Sequence, residues 1–278
     1  MITSLLVAVD SSAYARSAQE QAVALGRAYQ ARLTGLYVLD IRYVEMPPYV
    51  DYSYSFEAVP PIIPSPDIMK SFKAKSERIL TDLKEFVTAA GLPVETRTEE
   101  GVPSQVIADL GRTHDLVVMG KRGEHAKWGR DLLGSTAENV ARRSGTPVLL
   151  VEPDYRLLVK ALVMFDGSHP ANRALKLAAD LGARTGLALK VLTVDDDAER
   201  ARATQAEASA YLGPLGLQAE YEALPGRAAK AAAALLAKEP ADVLIMGMRG
   251  HSVLHDLILG STAEQLMRSV GLPILLVP

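Results

Sequence analysis

Short apolar runs alternate along the chain with longer segments in which apolar residues recur at helical spacing. Five of the runs are almost continuously apolar, and they read LLVAV, DLVVM, PVLLV, DVLIM and PILLV. Runs of this kind are typical of parallel strands that are covered on both faces. Their alternation with helical segments predicts right-handed βαβ crossovers and an α/β fold built on a parallel sheet.

The same alternation sets the boundaries of the predicted elements. In the first half, strands are expected at about 4–9, 32–38, 93–98, 115–119 and 147–151, and helices at about 12–29, 67–90, 103–112 and 133–144. In the second half, strands are expected at about 160–165, 187–194, 216–222, 242–246 and 273–277, and helices at about 169–185, 197–213, 226–238 and 259–270. Ligands of parallel sheets bind beyond the carboxyl ends of the strands, where the strand order reverses. The residues that follow the strands are therefore the first candidates for function.

The chain contains one domain twice. The segment that begins at Asp115 reappears from Asp242, and Leu6 to Ser12 corresponds to Leu162 to Ser168 at an offset of 156 residues. Such self-similarity indicates a tandem repeat. The offsets predict a first domain at 1–153 and a second at 154–278.

The first copy carries an insertion. Val38 and Gly101 are separated by 63 residues, whereas Val194 and Gly226 are separated by 32, so copy one has 31 additional residues. They lie at about 40–67 and are rich in tyrosine and proline, namely Tyr43, Tyr49, Tyr52, Tyr54, Pro47, Pro48, Pro60, Pro61, Pro64 and Pro66. Long irregular loops are often functional or flexible. Two interpretations stay open: a surface loop that packs its tyrosines locally, and a lid or partner surface beside the site.

The composition argues against several classes of function. The net charge of −3 provides no broad basic field, which argues against nucleic-acid binding. The absence of cysteine excludes disulfides and thiolate chemistry. The apolar runs are far shorter than the ~20 residues that cross a bilayer, and the N-terminus has no basic region of a signal peptide. We expect a soluble, cytoplasmic protein that does not associate with membranes.

A glycine pattern follows the fourth strand of each copy and favours an anionic ligand. In copy two it reads G-x2-G-x9-G-S-T, from Gly247 to Thr262. Glycine lets the backbone approach a phosphate closely, and the free N–H groups of the helix that opens at Ser261 attract phosphate oxygens. Arg249 adds a positive charge. The alternative is that these glycines serve tight turns and helix packing without any ligand.

With these residues the chain resembles a tandem universal stress protein. The resemblance implies two tandem, open, five-stranded parallel-sheet domains of Rossmann-like type, with ATP bound by the glycine motif. Asp166 would face the adenosine, and the backbone of Val194 would bond the adenine. The candidate ligand-binding residues of copy two are Asp166, Gly167, Val194, Met246, Gly247, Arg249, Gly250, Gly260, Ser261 and Thr262. Those of copy one are Asp10, Ser11, Val38, Met119, Gly120, Arg122, Gly123, Gly134, Ser135 and Thr136.

Copy one departs from the pattern. Ten residues, not nine, separate Gly123 from Gly134, and this stretch holds Glu124 and the single tryptophan, Trp128. The extra residue is either absorbed by the loop or reshapes the pocket. In copy two, Gly167 replaces the serine found at Ser11.

Other chemistry is less favoured by the sequence. The patterns G-x4-G-K-[ST], G-x-G-x-x-G and G-x-S-x-G are absent. His251 and His255 with Asp256 could bind zinc, but no third ligand is evident, and a solvated stretch is the favoured interpretation. Asp195 to Asp197 could bind Mg²⁺, although an acidic run at a helix start is the favoured interpretation.

These features predict a stress-response sensor or regulator that acts by nucleotide occupancy. The ligand is expected to be ATP, with ADP, AMP or a cyclic nucleotide as alternatives and Mg²⁺ accompanying a triphosphate. No general base stands out near the expected γ-phosphate, so an enzyme is not favoured, while slow ATP hydrolysis and a nucleotide-free interaction module stay open. The resemblance further implies an intrachain pseudo-dimer through the last strands of the copies, and association of two chains into a homodimer stays open. Action by occupancy implies an unidentified protein partner.

Overall fold

The computed structural model describes residues 2–41, 66–124, 133–217, 219–249 and 259–278. Most of the insertion (42–65), Trp128, Gly250, His251, His255 and Asp256 lie outside these ranges. The described strands are β1 (Ser4–Ala8), β2 (Arg32–Asp40), β3 (Val94–Gly101), β4 (Leu116–Gly120), β5 (Val148–Val151), β6 (Lys160–Met164), β7 (Ala188–Val194), β8 (Ala219–Leu224), β9 (Val243–Gly247) and β10 (Ile274–Val277).

The described helices are α1 (Ala13–Tyr29), α2 (Pro66–Ala89), α3 (Pro103–Gly111), α4 (Ser135–Arg143), α5 (His169–Thr185), α6 (Ala198–Leu212), α7 (Ala228–Lys238) and α8 (Ser261–Ser269). A short 3₁₀ turn, Gly213–Leu215, follows α6. Each predicted element is present, with its ends shifted by at most a few residues. The predicted α/β class with tandem domains is confirmed.

The strands form one continuous ten-stranded sheet. Their order is β3-β2-β1-β4-β5-β10-β9-β6-β7-β8, so each copy contributes five neighbouring strands. Pairing is parallel within each copy and antiparallel where β5 meets β10, with Leu149 opposite Leu275. The last strands of the two copies therefore pair within the chain, as the resemblance implies.

The hydrophobic core is divided by the faces of this sheet rather than by the two copies. On one face, Leu5 and Val7 of β1 belong to the same buried cluster as Val163 of β6. On the opposite face, Leu6 of β1 clusters with Leu162 of β6. Alternate residues of a strand point to opposite faces, so each cluster runs through both copies.

Polar contacts also join the copies. Arg142 of α4 pairs with Glu264 of α8 at 3.2 Å, and Arg268 of α8 pairs with Glu138 of α4 at 2.6 Å. The buried Lys121 donates to the Val270 carbonyl, at the end of α8, at 2.5 Å. A cation at the C-terminus of a helix is favourable. Burial lowers the pKa of Lys121, against the opposing effect of Glu152.

Within the described part of the chain, each helix is too short or too polar to cross a membrane.

Candidate functional site

The strand order reverses between β1 and β4 in copy one, and between β6 and β9 in copy two. This reversal is the position at which open α/β sheets bind ligands. The pairing of β2 with β1 reaches Leu36, whereas its pairing with β3 continues to Asp40. Val38 therefore has one paired edge and one edge that faces the space beyond β1. Val194 of β7 stands in the same position relative to β6.

Asp10 and Asp166 follow β1 and β6 and connect them to the next helix. Each accepts a hydrogen bond from the backbone N–H of the serine two residues later, Ser12 at 2.9 Å and Ser168 at 3.0 Å. The two serines in turn cap α1 and α5 with their side chains. Serine and aspartate are well suited to this because their oxygens satisfy free N–H groups at helix starts. The carboxylates are thus fixed at the reversal point.

The first glycines of the motif are required by packing. A Cβ on Gly120 would lie 2.5 Å from the Cβ of Tyr14 in α1. A Cβ on Gly247 would lie 2.8 Å from the Cβ of Pro170 and 3.0 Å from the nitrogen of Ala171 in α5. Such contacts are far below van der Waals separation, so the strand ends approach the helix starts only because no side chain is present. This agrees with the packing interpretation for these two positions.

The last glycines of the motif anchor a helix start beside a strand end. Gly134 and Gly260 are the N-cap residues of α4 and α8. Gly134 donates its N–H to the Lys121 carbonyl at 3.2 Å, and Gly260 donates to the Met248 carbonyl at 2.9 Å. The N–H groups of the first helical residues lack intrahelical partners. The anchoring brings these groups to the carboxyl end of β4 in copy one and of β9 in copy two.

The remaining candidates divide into those near the site and those in the core. Arg122 and Arg249 follow the strand ends and are half-buried. Met119 and Met246 are buried in the hydrophobic core, with 4% of each residue exposed. Their side chains therefore pack between sheet and helices. Gly250, the remaining glycine of copy two, lies outside the described residues.

The site of copy one contains a charged contact network. The Ser11 N–H donates to Glu124 Oε1 at 2.8 Å, and the Glu124 N–H donates to Asp10 Oδ2 at 3.1 Å. Lys75 of α2 donates to Glu124 Oε2 at 2.6 Å. A Cβ on Gly123 would lie 2.7 Å from Asp10 Oδ2, so a side chain at this position would force the Asp10 carboxylate or the loop to shift.

The electrostatics of this network favour an ionised Glu124. Burial by itself would raise the pKa of Glu124, but the hydrogen bonds from Lys75 and Ser11 outweigh it and lower that pKa. The pKa of Asp10 is raised, mainly by burial and further by the neighbouring Glu124 charge, against the hydrogen bonds from Ser12. Two carboxyl groups thus share the site while one lysine neutralises part of their charge.

Copy two is built differently at the same place. Gly167 adopts a φ of +77°, which favours glycine over other residues. Asp166 is exposed, whereas Asp10 is half-buried. Ser261 is exposed at the first position of α8, and Thr262 follows it half-buried. Ser135 and Thr136 occupy the corresponding positions of α4.

The acidic run of copy two has structural contacts. Asp195 pairs with Arg200, Asp196 accepts the Gly226 N–H at 2.7 Å, and Asp197 caps α6. These contacts agree with an acidic run at a helix start.

Sequence reasoning missed Lys75 and the part played by Glu124. The contacts of Glu124 join residues 49 and 113 positions apart in the chain. Lys75 lies in a predicted helix without any motif, so local pattern gave no signal for it. The extra residue after Gly123 is the one hint that this loop differs.

Comparison with known proteins agrees with this architecture. The sequence model of the universal stress protein family matches residues 1–152 and 159–278. The chain belongs to the universal stress protein family. A universal stress protein of Synechocystis is 28% identical over 285 residues, covering 98% of each chain. One from Thermus aquaticus is 30% identical over 154 residues, which is 54% of this chain and 99% of that protein.

Among solved structures, a universal stress protein from Archaeoglobus fulgidus superposes with a TM-score of 0.77. The match covers 99% of this chain and 97% of that one at 23% identity, so it shows the shared tandem fold.

Proposed function

We propose that this universal stress protein binds an adenine nucleotide, ATP in the first instance, at the carboxyl ends of β6 and β9. The observation that carries the proposal is the anchoring of Gly260 to the Met248 carbonyl at 2.9 Å. This contact brings the start of α8, whose first N–H groups lack intrahelical partners, to the carboxyl end of β9, which is next to β6 in the sheet. Helix N-termini in this position bind phosphate groups. Val194 offers its open backbone edge to the base.

Occupancy, rather than turnover, is the proposed mode of action. The candidate residues of copy two supply glycines, two hydroxyls and the Arg249 guanidinium, which suit binding better than phosphoryl transfer. One turn beyond Ser261, the same helix carries Glu264, which pairs with Arg142 of copy one at 3.2 Å. A ligand at the start of α8 therefore acts on an element that contacts the other copy. A partner would recognise the resulting surface.

The first test is titration calorimetry, in which ATP is added to the purified wild-type protein and to the Ser261→Glu variant. A carboxylate at the first helical position repels phosphate but is favourable to the helix itself, because anions stabilise helix N-termini. We expect Ser261→Glu to weaken ATP binding by at least about tenfold, which corresponds to about 1.4 kcal/mol. Binding of adenosine, which has no phosphate, should change little.

Gln265→Glu is the matched control, since it adds the same charge to an exposed position of α8. It should leave ATP affinity within about twofold of wild type. Equal losses in both variants would contradict phosphate binding at this helix start. Absence of binding of ATP, ADP, AMP and cyclic AMP at about 1 mM would reject the proposal as a whole. Mass spectrometry of ligand released from the native protein would name the nucleotide.

A further inference from the structure

The copy-one site contains an internal carboxylate, that of Glu124, at a position where the sequence of copy two has His251. One carboxylate oxygen of Glu124 accepts a hydrogen bond from the Ser11 N–H at 2.8 Å, and the other accepts one from the Lys75 ammonium at 2.6 Å. Its backbone N–H is bound to Asp10 Oδ2 at 3.1 Å. The other Asp10 oxygen, Oδ1, accepts the Ser12 N–H at 2.9 Å. Both Asp10 oxygens and the Ser11 N–H are thus engaged within the chain.

The position of Lys75 is set by the packing of α2. The next residue, Ser76, is buried at 3% exposure, and Leu83 and Val87 of the same helix are fully buried. This seats α2 against the sheet and directs Lys75 toward the loop that follows β4. The side chains of Lys75 and Glu124 are 37% and 25% exposed, so the pair lies at the rim of the site.

The equivalent cation of copy two is directed elsewhere. Arg200 of α6 stands as far before β8 as Lys75 stands before β3, and Ala201 beside it is buried at 2%, like Ser76. Arg200 pairs with Asp195, on the loop after β7. The residue that follows the second motif glycine is Glu124 in copy one and His251 in copy two, so the sequence has no carboxylate at that position of copy two.

We infer that Glu124, held in place by Lys75, closes the copy-one site to nucleotides, so that the chain binds one nucleotide, in copy two. This inference rests on the proposed function. A nucleotide entering copy one would have to displace the Glu124 carboxylate from its donors, and its phosphates would meet a like charge. Glu124 is therefore the residue that determines which of the two similar sites takes the ligand.

The test is the number of ATP molecules bound per chain, measured by calorimetry and equilibrium dialysis. Wild type should bind one equivalent, whose affinity Ser261→Glu weakens by at least about tenfold and the corresponding Ser135→Glu leaves unchanged. Glu124→Ala leaves the Ser11 N–H and the Lys75 ammonium available to an anionic ligand. It should add a second equivalent with an affinity within about tenfold of the first. Adding Ser135→Glu to Glu124→Ala should weaken binding of that second equivalent by at least about tenfold.

Two further variants control for the loss of any nearby carboxylate and for disturbed folding. Glu77→Ala removes an exposed carboxylate from α2 and should leave one equivalent. Glu124→Gln keeps the size and the acceptor for Ser11 while removing the charge, so it should give a second equivalent weaker than that of Glu124→Ala. Because glutamine has nearly the shape of glutamate, this variant still tests the inference if Glu124→Ala disturbs folding.

The possible outcomes distinguish failure of this inference from failure of the proposed function. Two equivalents in wild type would overturn this inference and leave the proposed function in place. The same holds if every Glu124 variant binds a single equivalent and Ser261→Glu weakens that binding. Binding by neither wild type nor the Glu124 variants would overturn both. One equivalent in wild type and two in Glu124→Ala would support both.

Discussion

At the scale of single residues, Asp115 ties the start of β1 to the start of β4. Its Oδ2 accepts the N–H and hydroxyl of Thr3, both at 2.8 Å, and those of Ser4, both at 3.0 Å. Asp242 makes the matching contacts in copy two, to the N–H groups of Val159 and Lys160 at 3.0 and 2.9 Å. Burial alone would raise the pKa of Asp115, but the hydrogen bonds from Thr3 and Ser4 outweigh it and lower that pKa.

Asp115→Asn should therefore reduce the free energy of unfolding by about 1 kcal/mol at pH 7, a modest value because the site is solvent-exposed. The folded-state pKa lies below the ordinary value of 3.8. The stabilisation is thus fully present above that value and is lost as the pH falls through the folded-state pKa. Urea unfolding of both proteins at pH 7 and in steps below pH 4 measures the difference.

Asp109→Asn serves as the control, because Asp109 pairs with Arg112 at 3.1 Å on an exposed face of α3. It should change stability by no more than about 0.5 kcal/mol. A difference between Asp115→Asn and wild type that grows as the pH falls would refute the assignment.

At the scale of elements, α2 packs on β2 through a close approach at Gly35. A Cβ on Gly35 would lie 2.1 Å from Cδ2 of Leu83, which is fully buried. The absence of a side chain at this point of β2 lets α2 lie against the sheet. The same packing sets the position of Lys75 at the copy-one site.

Gly35→Ala should lower the free energy of unfolding by about 1–3 kcal/mol, because overpacking forces Leu83 or the helix to move. The change is measured by chemical denaturation. Gly145→Ala is the matched substitution, since a Cβ there meets nothing within 4 Å, and it should be close to neutral. Similar stability of both variants would show that α2 accommodates the added methyl group.

At the scale of the whole molecule, one sheet and two shared core clusters connect the copies. Leu275 of β10 is 2% exposed and belongs to the cluster that also contains Leu5 and Val7 of β1. It stands opposite Leu149 of β5 in the antiparallel register. Cores shared in this way couple the unfolding of the two copies.

Leu275→Ala should cost about 2–5 kcal/mol, as expected for a cavity in a packed core. It should reduce hydrogen-exchange protection in both β4 and β9, although the substitution is in copy two. Hydrogen exchange followed by mass spectrometry measures the two strands separately. Leu215→Ala, at a leucine that is 52% exposed, is the control and should alter neither. Loss of protection confined to β9 would mean that the copies unfold independently.

Local pattern was sufficient to predict the elements. Apolar runs, helical spacing and the offset of 156 residues between the copies predicted strands, helices and tandem domains. These signals depend on neighbours close in the chain, because strand and helix periodicity are properties of short segments. The position of Asp10 and Asp166 at the carboxyl ends of first strands also followed from the pattern.

The contacts within the copy-one site were decided by the tertiary structure alone. Glu124 meets Lys75 and Ser11 across 49 and 113 residues, and Lys121 meets Val270 across 149. Contacts at such separation depend on how α2 packs and how β5 pairs with β10, which no local period encodes. The sequence by itself determined two similar domains, and the folded chain determined that an internal carboxylate is held in the copy-one site.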